Sequence, residues 1–119
     1  MYVVVAVLLV LPAAWPLLQP GFIATRGGGD SPFLLIRLQQ MLAGLQVSVP
    51  ARWMPDANYG LGYPFWNFYA PLPYYLTALL TRFGLGPIAA IKTTQALGLA
   101  LAAVGMFALA RRIWDSAAG

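Results

Sequence analysis

The sequence predicts an all-α membrane protein, with two transmembrane helices flanking an extracytoplasmic loop that carries two juxtamembrane amphipathic helices. Three observations lead there. Apolar residues make up 61% of the chain and charged residues only 8%, with a mean hydropathy of +0.73. Soluble domains carry about 25% charged residues, and a chain this apolar cannot cover its surface with polar groups. Apolar runs stand near both ends, at 2–18 and 87–110, and most of the prolines and glycines fall between them.

The first run, YVVVAVLLVLPAAWPLL, has 17 residues, the lower limit for crossing a hydrocarbon core of about 30 Å. Pro12 would kink it, which neighbouring helices tolerate in lipid. It has no basic stretch ahead of it, so it does not read as a signal peptide. Residues 19–86 form the loop. After Gly27–Gly29, a helix is expected at about 32–46, because Pro32 behind Asp30 and Ser31 is a start signal. On a helical wheel Leu34, Leu35, Leu38, Met41, Leu42 and Leu45 share one arc. Arg37, Gln40 and Gly44 make a polar stripe headed by Asp30. That pattern predicts an interfacial helix, leucines towards lipid and stripe towards a cleft.

Pro50, Pro55, Pro64 and Pro71, with Gly60 and Gly62, leave the segment from Val47 to Leu72 irregular. A second short helix is expected at 73–83, about 16 Å long and too short to span. The second span is expected at 87–110, closed by Arg111 and Arg112. If the short helix does not cross, these arginines face the cytoplasm and the loop faces outward, in line with the positive-inside tendency. Gly98, Ala102 and Gly105 share one face of this span, a spacing that lets helix backbones approach closely in lipid. Together with the missing basic start and the abrupt end after a span, that face suggests the N-terminal piece of a longer polytopic protein, whose remaining transmembrane helices are its partners.

Composition also excludes functions. Neither cysteine nor histidine occurs, and there are only three acidic residues. A disulfide, a thiolate, a Ser-His-Asp triad and a self-contained zinc site are therefore unavailable. Seven dispersed cations make no nucleic-acid patch. Asp30 is the candidate catalytic residue, as a general base or as the ligand of a divalent metal; capping the helix is the plainer role, and the two are compatible. Arg37 and Gln40 on the stripe, Arg52 in the loop and Lys92 near the outer end of the second span are candidate substrate contacts. For the cations, headgroup contact or snorkelling is the plainer role. Asp56 reads as a turn former. Nine of the chain's 16 aromatic residues lie between Trp53 and Tyr75. Trp53, Tyr59, Tyr63, Trp66 and Tyr69 are candidate stacking surfaces for a sugar or an isoprenoid chain, beside the default of an interfacial belt.

Three stretches carry a family resemblance: GDSPFLLIRLQQ, PARWMPDANYGLGYPFWNFYAPLPYYL and IKTTQALGLALAAVGMFALARRIW. Over about residues 27–114 the chain resembles the bacterial integral membrane proteins called 6-pyruvoyl-tetrahydropterin synthase-related domain proteins. That family is in turn similar to the GT-C class of polytopic glycosyltransferases. The resemblance implies a multi-pass protein of the bacterial cytoplasmic membrane that transfers sugar from a polyprenyl-phosphate donor at the extracytoplasmic face. It places Asp30 as the loop acid that activates the acceptor or binds a metal, and Arg37, Arg52 and Lys92 as contacts to the donor phosphate. The other readings are a transporter or lipid-binding protein in which the aromatic loop is a gate, and a non-catalytic membrane scaffold.

Overall fold

The computed structural model describes residues 2–21 and 31–117. Among them are four α-helices and no strand: α1 (Tyr2–Leu18), α2 (Ser31–Val47), α3 (Leu72–Arg82) and α4 (Pro87–Ala117), with a single 3-10 turn at Phe65–Asn67. The chain divides into two compact units, Met1–Pro20 with Gln95–Gly119, and Gly21–Thr94.

In the first unit α1 holds Pro12 and Pro16 inside the helix, so the carbonyls of Leu8 and Pro12 lose their usual intrahelical partners. Val4, Leu9, Trp15 and Leu18 are all exposed. Among the described helices α4 alone is long and apolar enough to cross a membrane, over Pro87–Asp115, with a mean hydropathy of 1.6. At 31 residues it extends about 46 Å. The helix continues beyond Ala110, the expected end of the span, through both arginines. Alanine and arginine are good helix formers, and Arg111 pairs with Asp115 one turn on, at 3.6 Å. Both side chains are well exposed, so the pair adds little stability. The face carrying Gly98 and Gly105 is open, with nothing within 4 Å of a Cβ added at either glycine.

The second unit has a true core. Leu38 and Met41 of α2 are 0% exposed and pack with Ala51, Met54, Trp66, Tyr74, Ala78 and Ile91; Leu34, Leu35, Leu42 and Leu45 lie against that cluster. The leucine arc of α2 therefore faces protein, correcting the expectation that it faces lipid. The stripe is covered too, since Gln40 and Gly44 are buried. The covered arc, from Gln40 round to Leu35, amounts to roughly 220° at 100° per residue. A helix packed on two sides shows no clean division between an apolar and a polar face. Its exposed residues are Pro32, Phe33, Ile36, Gln39, Gln46 and Val47, and all but Phe33, in the first turn, lie outside that arc.

The segment over the stripe is irregular but tightly bonded. Met54 and Tyr63 exchange backbone hydrogen bonds at 2.8 and 3.1 Å, closing a turn whose Gly62 N–H donates to Ala57 O at 2.8 Å. Asn58, Tyr59, Gly60 and Gly62 all have positive φ. Glycine adopts this region freely and asparagine tolerates it. Tyr59 does neither, and it stands fully exposed at the tip.

α3 opens with Pro73 in its first turn and ends at Gly84, φ +97°. Gly84 N–H donates to Thr81 O and Leu85 N–H to Leu80 O, the paired bonds of a Schellman ending. Thr77 of α3 then donates to Thr94 of α4 at 2.9 Å, and Thr94 to Ala90 O at 3.0 Å. That chain of hydroxyls ties α3 to the first turns of α4.

Candidate functional site

Arg37 sits half-buried on α2 among aromatic rings. Its guanidinium carbon lies 4.9 Å from the Tyr69 ring centre, 5.4 Å from Phe65 and 5.9 Å from Phe33. Nη1 donates to the phenol oxygens of Tyr69 and Tyr74, each at 3.4 Å, longer than the common 2.7–3.2 Å and correspondingly weak. The rings hold one another: Phe65 stacks on Tyr69 at 4.7 Å and meets Trp66 edge-on at 5.0 Å, and Trp66 packs on Tyr74 at 4.9 Å. The proline-rich loop thus builds a cage around one cation. Aromatic faces attract a guanidinium, by about 0.5–1 kcal/mol each when exposed and more when desolvated. Two phenol hydroxyls beside it add groups able to donate to an anion.

Burial pushes the Tyr74 phenol above its ordinary value of 10.0, and the neighbouring Arg37 offsets only part of that rise. A raised phenol favours the folded state below about pH 10, and the advantage is lost as pH climbs through the folded value. In an alkaline absorbance titration one tyrosine should therefore ionise above the ordinary phenol value of 10.0. Tyr74→Phe should remove that late component; a titration curve that keeps it would assign it to another residue.

One turn along the stripe, Gln40 grips Asp56. Its Nε2 donates to Asp56 Oδ2 at 2.8 Å, and the Asp56 backbone N–H donates to Gln40 Oε1 at 2.9 Å. Both hydrogen-bonding groups of a buried amide are spent on one loop residue, so Gln40 positions a carboxylate. The sequence shows Asp56 only as a turn former, and no local signal reveals its partner 16 residues away.

Trp53 locks the same loop to α2. A Cβ added at Gly44 would lie 2.8 Å from Trp53 O and 3.3 Å from Ala51 Cβ, and one added at Gly62 would overlap the Trp53 indole nitrogen. The Tyr75 hydroxyl donates to Ala51 O at 3.2 Å.

The aromatic candidates therefore separate. Tyr69 joins Arg37, as do Phe65 and Tyr74, which the sequence does not single out. Trp66 is core, its indole N–H buried without a partner among the described residues. Trp53 and Tyr63 fasten the loop, Tyr59 occupies its tip, and Arg52 is exposed beside Trp53. Lys92 lies partly buried on α4, two residues before Thr94. Asp30, the acid on which the catalytic reading centres, lies outside the described residues, as do the three glycines before it. Among the described residues no three His, Cys, Asp or Glu side chains gather into a metal site, and Asp56 is the one carboxylate among the described residues of its unit. Compared with protein-family models, curated proteins and solved structures, the chain matches none.

Proposed function

We propose that this chain is the N-terminal part of a GT-C-like membrane glycosyltransferase that uses a polyprenyl-phosphate sugar donor at the extracytoplasmic face. The observation that carries the reading is the Arg37 cage. A guanidinium fixed by three rings and flanked by the hydroxyls of Tyr69 and Tyr74 is suited to an anionic oxygen. Arginine keeps its charge and presents a planar fork of donors that matches phosphate. In this reading α1 and α4 both span the bilayer, and Arg37 takes the donor phosphate. Asp30, seven residues ahead of Arg37, accepts a proton from the acceptor hydroxyl as it attacks the sugar. The polyprenyl phosphate leaves with its negative charge held at Arg37. Asp56, a loop carboxylate held by Gln40 one turn along α2 from Arg37, is a second acid available to the reaction. A gating role for the aromatic loop finds less support, because the Met54–Tyr63 bridge closes the loop on itself and the Gln40–Asp56 pair pins it to α2.

The test is sugar transfer from a radiolabelled polyprenyl-phosphate donor in membranes containing the protein. Asp30→Asn should lower transfer by 100-fold or more, roughly the lower end of what general-base catalysis contributes. Arg37→Met should weaken donor use while leaving membrane insertion intact. Unchanged transfer by a correctly inserted Asp30→Asn protein would remove Asp30 as the base.

A further inference from the structure

A second site lies away from the Arg37 cage, between α2 and α3. Leu42 and Leu45 of α2 face Tyr75, Ala78, Leu79 and Arg82 of α3 around a cavity of about 470 Å³, within the roughly 300–1,000 Å³ of small-molecule pockets. The α3 residues fall at i, i+3, i+4 and i+7, forming one stripe about 10 Å long. Leu79 is 51% exposed at its centre. Arg82, in the last turn of α3, is the one charged residue among the described residues lining the cavity, and no carboxylate there balances it.

Arg82 is not needed to finish its helix. The carbonyls of Leu79, Leu80 and Thr81 already accept from the backbone N–H groups of Phe83, Leu85 and Gly84, so its guanidinium is left for another acceptor. One wall of the groove, α3, is also tied on its opposite face to the first turns of α4. The Thr77–Thr94 bond holds α3 against the start of α4, the one described helix long and apolar enough to cross a membrane. Arg82 precedes Pro87 by five residues, at most about 18 Å of extended chain.

We propose that this groove binds one acyl chain of an anionic membrane phospholipid, with the lipid phosphate at Arg82. The apolar stripe takes the chain and the unbalanced cation selects the headgroup. The site shares no residue with the Arg37 cage and does not depend on the transferase reading.

Native mass spectrometry of the full chain in uncharged detergent tests it, with dioleoyl-phosphatidylglycerol and dioleoyl-phosphatidylcholine as probes. Phosphatidylglycerol should bind about fivefold more tightly, the effect of one basic side chain near a lipid surface. Arg82→Gln should bring it down to the phosphatidylcholine level, and Leu79→Trp, which fills the groove, should weaken both lipids. Leu79→Gln is a milder second variant at the same exposed position and should also weaken both, with helicity unchanged by circular dichroism. Equal binding of the two lipids would overturn the proposal, as would a preference that survives Arg82→Gln or binding untouched by both Leu79 variants. Displacement of the lipid by glycerol phosphate alone would reduce the site to a bare anion contact. A lipid-free dimer that Leu79→Trp dissociates would give the groove to a second copy of the chain.

Discussion

Gly62→Ala should cost this protein about 3 kcal/mol, lowering its thermal midpoint by on the order of 10–20 °C for a folded unit of this size. Two costs combine. Gly62 has φ +79°, where an L side chain loses roughly 1–2 kcal/mol. The added Cβ would also overlap the Trp53 indole, and overpacking a tight contact costs a further 1–3 kcal/mol or so. Gly60 is the internal control. Its φ is +83°, yet nothing lies within 4 Å of an added Cβ, so Gly60→Ala should carry only the backbone cost. Thermal unfolding of both variants in the same detergent separates the two contributions. Trp53→Ala should recover part of the Gly62→Ala loss in a double-mutant cycle. Equal losses at Gly60 and Gly62 would mean that the indole does not rest on Gly62.

Gln40→Glu should be nearly as damaging at neutral pH. It replaces the Nε2 donor, 2.8 Å from Asp56 Oδ2, with an oxygen of the same charge. A hydrogen bond to a charged group is worth about 1.5–3 kcal/mol, and repulsion adds to its loss. The sign of the pH dependence follows from that repulsion. Two facing carboxylates raise the proton affinity of the pair above the ordinary carboxyl range. The variant's stability should therefore be best below about pH 4 and fall as pH rises through the raised value. Acid should rescue it, a response that neither wild type nor Gln40→Leu shares. Asp56→Asn, which keeps an acceptor for Nε2, should lose less than Gln40→Glu. Denaturant unfolding at pH 4 and pH 7 measures all four proteins. A Gln40→Glu variant as stable as wild type at pH 7 would dissolve the Gln40–Asp56 pair as the loop's anchor.

These two tests concern the part of the protein that local pattern does not disclose. Helix α1 runs over the same residues the sequence indicates, and α2 and α3 fall within one residue of expectation at each end. Their start and stop signals, Pro32, Pro73 and Gly84, act on the backbone of their own neighbourhood. Helix α4 continues past Ala110, the expected end of the span, because two adjacent arginines signal topology in a membrane but do not terminate a helix. For helix α2 the difference lies in what surrounds it. Its leucine arc is real, yet a wheel shows only which residues share a face and cannot show what covers it. Interfacial packing and packing against protein demand the same periodicity.

The site divides along the same line. Composition and periodicity by themselves determined a helical, strongly apolar chain with no histidine or thiol chemistry, an irregular aromatic loop, and a polar stripe holding Arg37 and Gln40. Only the tertiary structure decided that the loop folds over this stripe, that Gln40 is taken up by Asp56, and that Phe65, Tyr69 and Tyr74 enclose Arg37. The physical reason is separation along the chain. Those contacts join residues 16, 32 and 37 positions apart, and side-chain hydrogen bonds and ring contacts leave no periodic trace in sequence. A helix records the spacing of its faces locally, whereas the partner of each face is settled only when the rest of the chain packs against it.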